Sequence, residues 1–160
     1  MADILKKGGI DNKMSSKRVD IVSIKMIKES SIKYENRKIN NPWDGFKLLR
    51  DMLEDCDREN MVVVCLNTKN EPINISVVSV GTLNSSLVHP REIFKTAILS
   101  NSNKILIAHN HPSGKVDPSN EDNKITKRLK ESGELLGIEV LDHLIIGDGL
   151  YFSYKENMKI

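Results

Sequence analysis

The chain has 160 residues, 39% of them hydrophobic and 29% charged, with a formal net charge of +2. That length matches one domain able to bury its own core. The composition fits a soluble globular protein, and no window approaches the roughly 18 apolar residues of a membrane span. The opening Met1–Lys7 lacks the apolar segment of a secretory signal. Cys56 and Cys65 have no metal-type pair spacing and are expected to be reduced and core-filling. A cytoplasmic protein without a membrane partner is the expectation.

Charge is unevenly placed. Residues 1–41 hold ten Lys/Arg against five Asp/Glu, or +5, and the rest hold fourteen against seventeen, or −3. Residues 1–40 are expected to form a basic leader and linker, partly disordered, in which Val19 to Ile27 alternates enough to suggest a short edge strand. The basic arm is a solvated tail or a contact for nucleic acid or another acidic partner.

Asn41-Pro42 is a capping residue followed by a first-turn proline, and Phe46, Leu49, Leu53 and Cys56 continue at helical spacing. Met61 to Leu66 is unbroken apolar sequence, suited to a central strand buried on both faces. Ile73 to Val80 completes an antiparallel hairpin with it. Pro90 starts a second helix with Ile93, Phe94, Ala97 and Ile98 inward. Lys104 to Ala108 is a third strand that runs into His109. A third helix begins near Ser119 with Ile125, Leu129 and Leu136 inward, a basic outer face (Lys124, Lys127, Arg128, Lys130) and Gly137 as its C-cap. Ile138 to Ile146 and Leu150 to Tyr154 flank Gly147-Asp148-Gly149 as a second hairpin. Strands and helices interleave without a regular βαβ rhythm. The expected class is therefore α+β, a three-layer α/β/α-like arrangement rather than a doubly wound sheet. The expected domain spans 41–155, with 156–160 as a C-terminal tail.

The chemistry concentrates in His109-Asn110-His111-Pro112-Ser113-Gly114-Lys115-Val116-Asp117-Pro118-Ser119-Asn120-Glu121-Asp122. Residues two apart on a strand share a face, so His109 and His111 can meet one ion while Asn110 turns away. Asp122 arrives from the first turn of the third helix, where the helix N-terminus favours its ionised form. Two imidazoles and a carboxylate leave zinc one open position for water, as catalytic zinc requires. Ser119-x-x-Asp122 is also a capping box variant, and the two roles are compatible.

His-x-His, seven residues, then Ser-x-x-Asp resembles the motif of the JAMM/MPN metalloproteases. The wider context resembles their RadC-like branch: Asp57-Arg58-Glu59, Asn67-Thr68-Lys69-Asn70, Gly81-Thr82-Leu83-Asn84, His89-Pro90-Arg91-Glu92, His109-Asn110-His111-Pro112-Ser113-Gly114, Pro118-Ser119 and Leu141-Asp142-His143. The likeness spans about 41–155. It implies a mixed β-sheet flanked by helices, cytidine-deaminase-like, with one Zn2+ per chain held by His109, His111 and Asp122. It also implies that Ser119 holds an oxyanion and that an upstream glutamate is the general base. That base is Glu59, before the first core strand, or Glu92, on the second helix. The implied activity is hydrolysis of a peptide or isopeptide amide by metal-activated water, with a protein or peptide as substrate.

Two other readings stand beside it. One is a non-catalytic MPN-type interaction module. The other is a DNA-repair-associated role, supported only by the basic arm and the basic face of the third helix. His143, in an apolar strand, is expected to be buried and hydrogen-bonded, with support of a metal ligand as its alternative role. His89 is expected to be structural, and Trp43 to pack rather than to bind substrate.

Overall fold

A computed structural model describes residues 18–81 and 88–160. The expectations for the first 17 residues, and for the motif residues Thr82, Leu83 and Asn84, fall outside that range. The elements run α1 (Pro42–Leu53), β1 (Asn60–Leu66), β2 (Pro72–Val80), α2 (Pro90–Leu99), β3 (Lys104–Asn110), α3 (Asn120–Leu136), β4 (Glu139–Ile146) and β5 (Tyr151–Ser153). The five strands form one mixed sheet in the order β2-β1-β3-β4-β5. Only β3 and β4 are parallel; the other neighbours pair antiparallel.

The period of two along each strand sorts the core into two layers. Val62, Val64, Leu66, Leu106, Ala108, Leu144 and Ile146 face α1 and meet Phe46, Leu49 and Leu53. Met61, Val63, Cys65, Ile105 and Ile107 face the other way, toward Ile93, Phe94 and Ala97 of α2 and Ile125 and Leu129 of α3. β1 is covered on both faces, as its unbroken apolar run requires. The α1 layer sits close because Gly45 has no side chain: a Cβ there would lie 2.7 Å from Leu106 Cδ2.

The helix boundaries follow from their caps. Asn41 is extended, and its side chain accepts from the Asp44 N–H at 2.9 Å. α3 ends at Gly137, whose φ of 68° lies in the left-handed region. Because β3 and β4 are parallel, α3 is the crossover between them. It therefore begins beside the C-terminal end of β3.

Three expectations need correction. Residues 19–27 form no strand: Val19 and Ile21 are 88% and 102% exposed, and no described strand pairs with them. Their alternation is broken at Val22–Ser23, so neither side of the segment offers a continuous apolar face. Ile98 and Leu136 point outward, at 53% and 46% exposure. Ile98 lies about 100° round the helix from buried Ala97. Leu136 falls in the last turn, after Gly133 has taken the contact with the chain beneath it, where a Cβ would lie 2.5 Å from the Ile138 carbonyl oxygen. The packed unit also reaches back before residue 41. Ile39 is buried in the α1 layer, and its N–H donates to the Asn70 carbonyl at 2.9 Å.

Candidate metal centre

The C-terminal end of β3 and the N-terminal end of α3 meet at one point. His109, fully buried, lies within β3, and His111 follows immediately after the strand. The chain then turns through Pro112–Gly114. Gly114 has a φ of 77°, and its N–H donates to the His111 carbonyl at 2.9 Å. The loop is braced by the β4–β5 turn, where the Asp148 N–H donates to the Gly114 carbonyl at 3.3 Å. It returns to Ser119, the N-cap of α3.

Asp122 is 2% exposed. Its Oδ1 lies 3.2 Å from His109 Nε2, and its Oδ2 lies 3.5 Å from His111 Nε2. The two Nε2 atoms are 3.1 Å apart. One ligand atom from each residue falls within 4.8 Å of the others, a group that could hold a metal ion. Ser119 and Asp122 form the capping box as well. The Asp122 N–H donates to Ser119 Oγ at 3.1 Å, and the Ser119 N–H and hydroxyl donate to Asp122 Oδ2 at 2.8 and 2.7 Å. The cap thus immobilises the carboxylate that faces the imidazoles.

For neutral rings, hydrogen-bond bookkeeping assigns the protons to particular nitrogens. The Lys115 carbonyl, 2.8 Å from His111 Nδ1, can only accept, so Nδ1 is the protonated nitrogen of neutral His111 and Nε2 has a lone pair. The Thr126 hydroxyl is 2.6 Å from the Asp122 carbonyl, which also only accepts, so the hydroxyl proton goes there. His143 Nδ1, 2.6 Å from the same hydroxyl, must then donate to it. That leaves His143 Nε2 as an acceptor, and His109 Nδ1 donates to it at 2.8 Å. His109 Nε2 is therefore a lone pair too. With both rings neutral, two imidazole lone pairs and a carboxylate converge, which is the donor set a divalent cation fits.

The proton affinities follow the surroundings, and His111 is the ring on which a second proton competes with a cation. Burial pushes His109 below the ordinary histidine value, against the opposing pull of Asp122. Burial also holds His143 well below it, aided by the neighbouring His109. His111 moves up, first because its protonated ring can hydrogen-bond to Asp122. For Asp122, burial alone would raise the carboxyl, but the bonds from His109, His111 and Ser119 outweigh it and hold the group far below the usual carboxylate range. His143 is sandwiched further by Tyr154, whose ring stacks at 5.1 Å and 9°. The preceding residue works on the other side of the sheet end. Asp142 Oδ1 accepts from the His143 and Lys155 N–H groups at 2.7 and 2.9 Å, and its Oδ2 accepts from the Ser153 hydroxyl at 2.6 Å. This ties the end of β5, and with it Tyr154, against His143.

The two glutamates stand in different surroundings. Met61 pairs with His109 across the antiparallel β1–β3 ladder. Glu59 precedes β1 by one residue and Met61 by two, which gives it the parity of the strand residue paired with His109. Its charge raises the proton affinity of both His109 and His111. The Glu92 carboxylate is tied to Lys95 at 2.7 Å and Arg91 at 3.5 Å on the outside of α2, and those bonds, Lys95 first, lower its pKa.

The remaining candidates lie elsewhere. Trp43 packs on Phe46 and Tyr151 at 5.1 and 6.1 Å, in the α1 layer on the far side of the sheet. His89 is the N-cap residue of α2, with no side-chain cap bond. Both cysteines are free, Cys65 buried and Cys56 half-buried, and burial raises the Cys65 thiol. The basic face of α3 is interleaved with acid: Lys124 pairs with Glu121 at 3.6 Å and Lys127 with Glu131 at 4.0 Å. Sequence reasoning missed Thr126 altogether. Its spacing of four from Asp122 puts it one turn along the same helix face, and that was the available signal.

The RadC-like JAB domain family matches residues 39–159. The chain is 58% identical over 129 residues to a UPF0758 protein of Clostridioides difficile (strain 630), an alignment covering 81% of this chain and 54% of that protein. It is 48% identical over 142 residues to a UPF0758 protein of Alkaliphilus oremlandii, covering 88% and 61% respectively. It is 38% identical over 153 residues to one from Methanosarcina barkeri, covering 96% and 67%. The chain thus spans between about half and two thirds of the length of these curated relatives. Among the described residues no helix is long and apolar enough to cross a membrane. The mixed five-stranded sheet flanked by helices is the architecture of a JAB/MPN domain, and this chain belongs to the RadC-like JAB domain family, a branch of the JAMM/MPN fold.

Proposed function

We propose that the chain is a zinc-dependent metallohydrolase of the RadC-like JAMM type, cleaving a peptide or isopeptide amide bond. The observation that carries this reading is the convergence of two imidazole Nε2 atoms and one ionised carboxylate at a strand end, with the charge of Glu59 close by. His109, His111 and Asp122 would hold the ion and leave one position open. When bound, zinc supplies a Lewis acid that acidifies water and polarises an amide carbonyl. Glu59 accepts the proton released from the attacking water and returns it to the leaving amine. Ser119, at the mouth of the ligand loop, turns its hydroxyl from Asp122 Oδ2 toward the oxygen on which negative charge develops.

The test is a set of substitutions on the purified chain. His109→Ala removes the metal. Glu59→Gln keeps the metal and abolishes cleavage, while Glu92→Gln changes neither. A zinc-loaded wild type that cleaves no member of a peptide and isopeptide library would overturn the hydrolase reading in favour of a non-catalytic module.

A further inference from the structure

We infer that Asn110 is the positioning residue that aims Glu59 at the metal centre, an inference that rests on the reading of Glu59 as the base. Asn110 lies between the two histidines in sequence and is 1% exposed. Its side chain leaves β3 on the opposite face from theirs. There its carboxamide is fully used. Oδ1 accepts from the Asn60 N–H at 2.7 Å, and Nδ2 donates to the Arg58 carbonyl at 3.0 Å and the Cys56 carbonyl at 3.3 Å.

All three partners are backbone groups of one strap, residues 56–60, which joins α1 to β1. Glu59 sits inside that strap. Its own carbonyl accepts from the Gly81 N–H at 2.8 Å. The peptides on both sides of Glu59 are therefore held, which fixes the direction of its Cα–Cβ bond. Among side chains of this size, only a carboxamide offers an acceptor and two donors in one plane. Aspartate would keep the acceptor but replace the NH2, and with it both donors, by one oxygen that repels the two carbonyls, and leucine would offer nothing. The strand that presents the ligands on one pleat thus grips the base-bearing strap with the next.

The test compares Asn110→Leu and Asn110→Asp in the full chain. Both variants are expected to bind one zinc, since no ligand is touched. Amide exchange at Asn60 rises about 10-fold or more in Asn110→Leu, which leaves that N–H unpaired, and less in Asn110→Asp, which keeps the acceptor. With Mn2+ in the site, paramagnetic broadening of the 13C-labelled Glu59 carboxylate falls in both variants, because the carboxylate is no longer held toward the ion. In turnover, kcat falls while KM stays. Unchanged Glu59 broadening in both variants, or a KM that rises with kcat unchanged, would overturn the inference. Should the wild type cleave nothing, the hydrolase reading fails, yet exchange and broadening still decide whether Asn110 holds Glu59. If Asn110→Leu does not fold, the isosteric Asn110→Asp carries the same broadening test.

Discussion

Replacing Thr126 with valine removes one hydroxyl from a buried position and keeps the shape of the side chain. The hydroxyl is the end of a chain of three short contacts: 2.6 Å to the Asp122 carbonyl, 2.6 Å to His143 Nδ1 and, beyond that ring, 2.8 Å from His143 Nε2 to His109 Nδ1. Valine leaves two outcomes. If His143 keeps its proton on Nδ1, a buried donor loses its acceptor, at a cost of about 1–3 kcal/mol. If the proton moves to Nε2, it confronts His109 Nδ1 and drives the His109 proton onto Nε2, the atom that faces Asp122 and His111. A metal must then reverse that arrangement before it can bind. Either way, zinc affinity should fall by about 10–100-fold, the usual consequence of losing the partner behind a ligating histidine. A zinc titration against a chromophoric chelator measures this, with melting temperature in excess zinc and in chelator as an independent readout. Thr126→Ser restores the hydroxyl and should recover most of the affinity. Valine binding zinc as tightly as serine would refute the proton assignment.

Gly147→Ala would place a methyl group inside the contact radius of the Gly114 carbonyl, so the ligand loop must shift; about 1–3 kcal/mol of stability and part of the zinc affinity should be lost together. Leu49→Ala, fully buried in the α1 layer, should cost about 2–5 kcal/mol in chemical denaturation while zinc stoichiometry stays unchanged below the melting transition. The pH dependence of the metal-free chain follows from its histidines. His109 and His143, held below the ordinary value by burial, stay neutral in the fold, so stability is lost as pH drops below about 6.5, where the unfolded chain takes up their protons. His111, held above it by Asp122, has the opposite sign: its contribution is present below its unfolded pKa and is lost as pH rises through its folded value. Two against one, the melting temperature should fall between about pH 7 and pH 5, and a flat profile would mean that a buried histidine is charged in the fold. Zinc must displace the proton of His111, so its affinity should rise with pH across the same range, measurable by chelator competition with proton release.

Much of the fold was legible because its signals are local. The apolar run Met61–Leu66, the caps Asn41 and Ser119, and Gly147-Asp148-Gly149 act through neighbours in sequence. So does the shared face of His109 and His111, which follows from the pleat alone. What was not legible depends on residues far apart in the chain. Glu59 and Glu92 both flank apolar elements, and only the register Met61↔His109 separates them. Asn110 could be seen to turn away from the histidines, but not toward what, since Asn60 is 50 positions distant. His143 could be read as buried and bonded, but its partners Thr126 and His109 come from two other elements. Ile98 and Leu136 were misread because helical periodicity marks a broad stripe, and a flank or a last turn inside that stripe can still meet water.

On the proposed reading, the ligands and the base are assembled by different kinds of structure. His109, His111 and Asp122 are joined by a single short loop, so closing the metal site costs little loop entropy and needs little more than the end of β3 and the start of α3. Glu59 reaches the same place only after β1 has paired with β3. A molecule in which the strap at residues 56–60 has opened locally could therefore keep its ion while having lost its base. In such a protein, full metal content would certify that the loop is closed and would say nothing of how many molecules are competent to react.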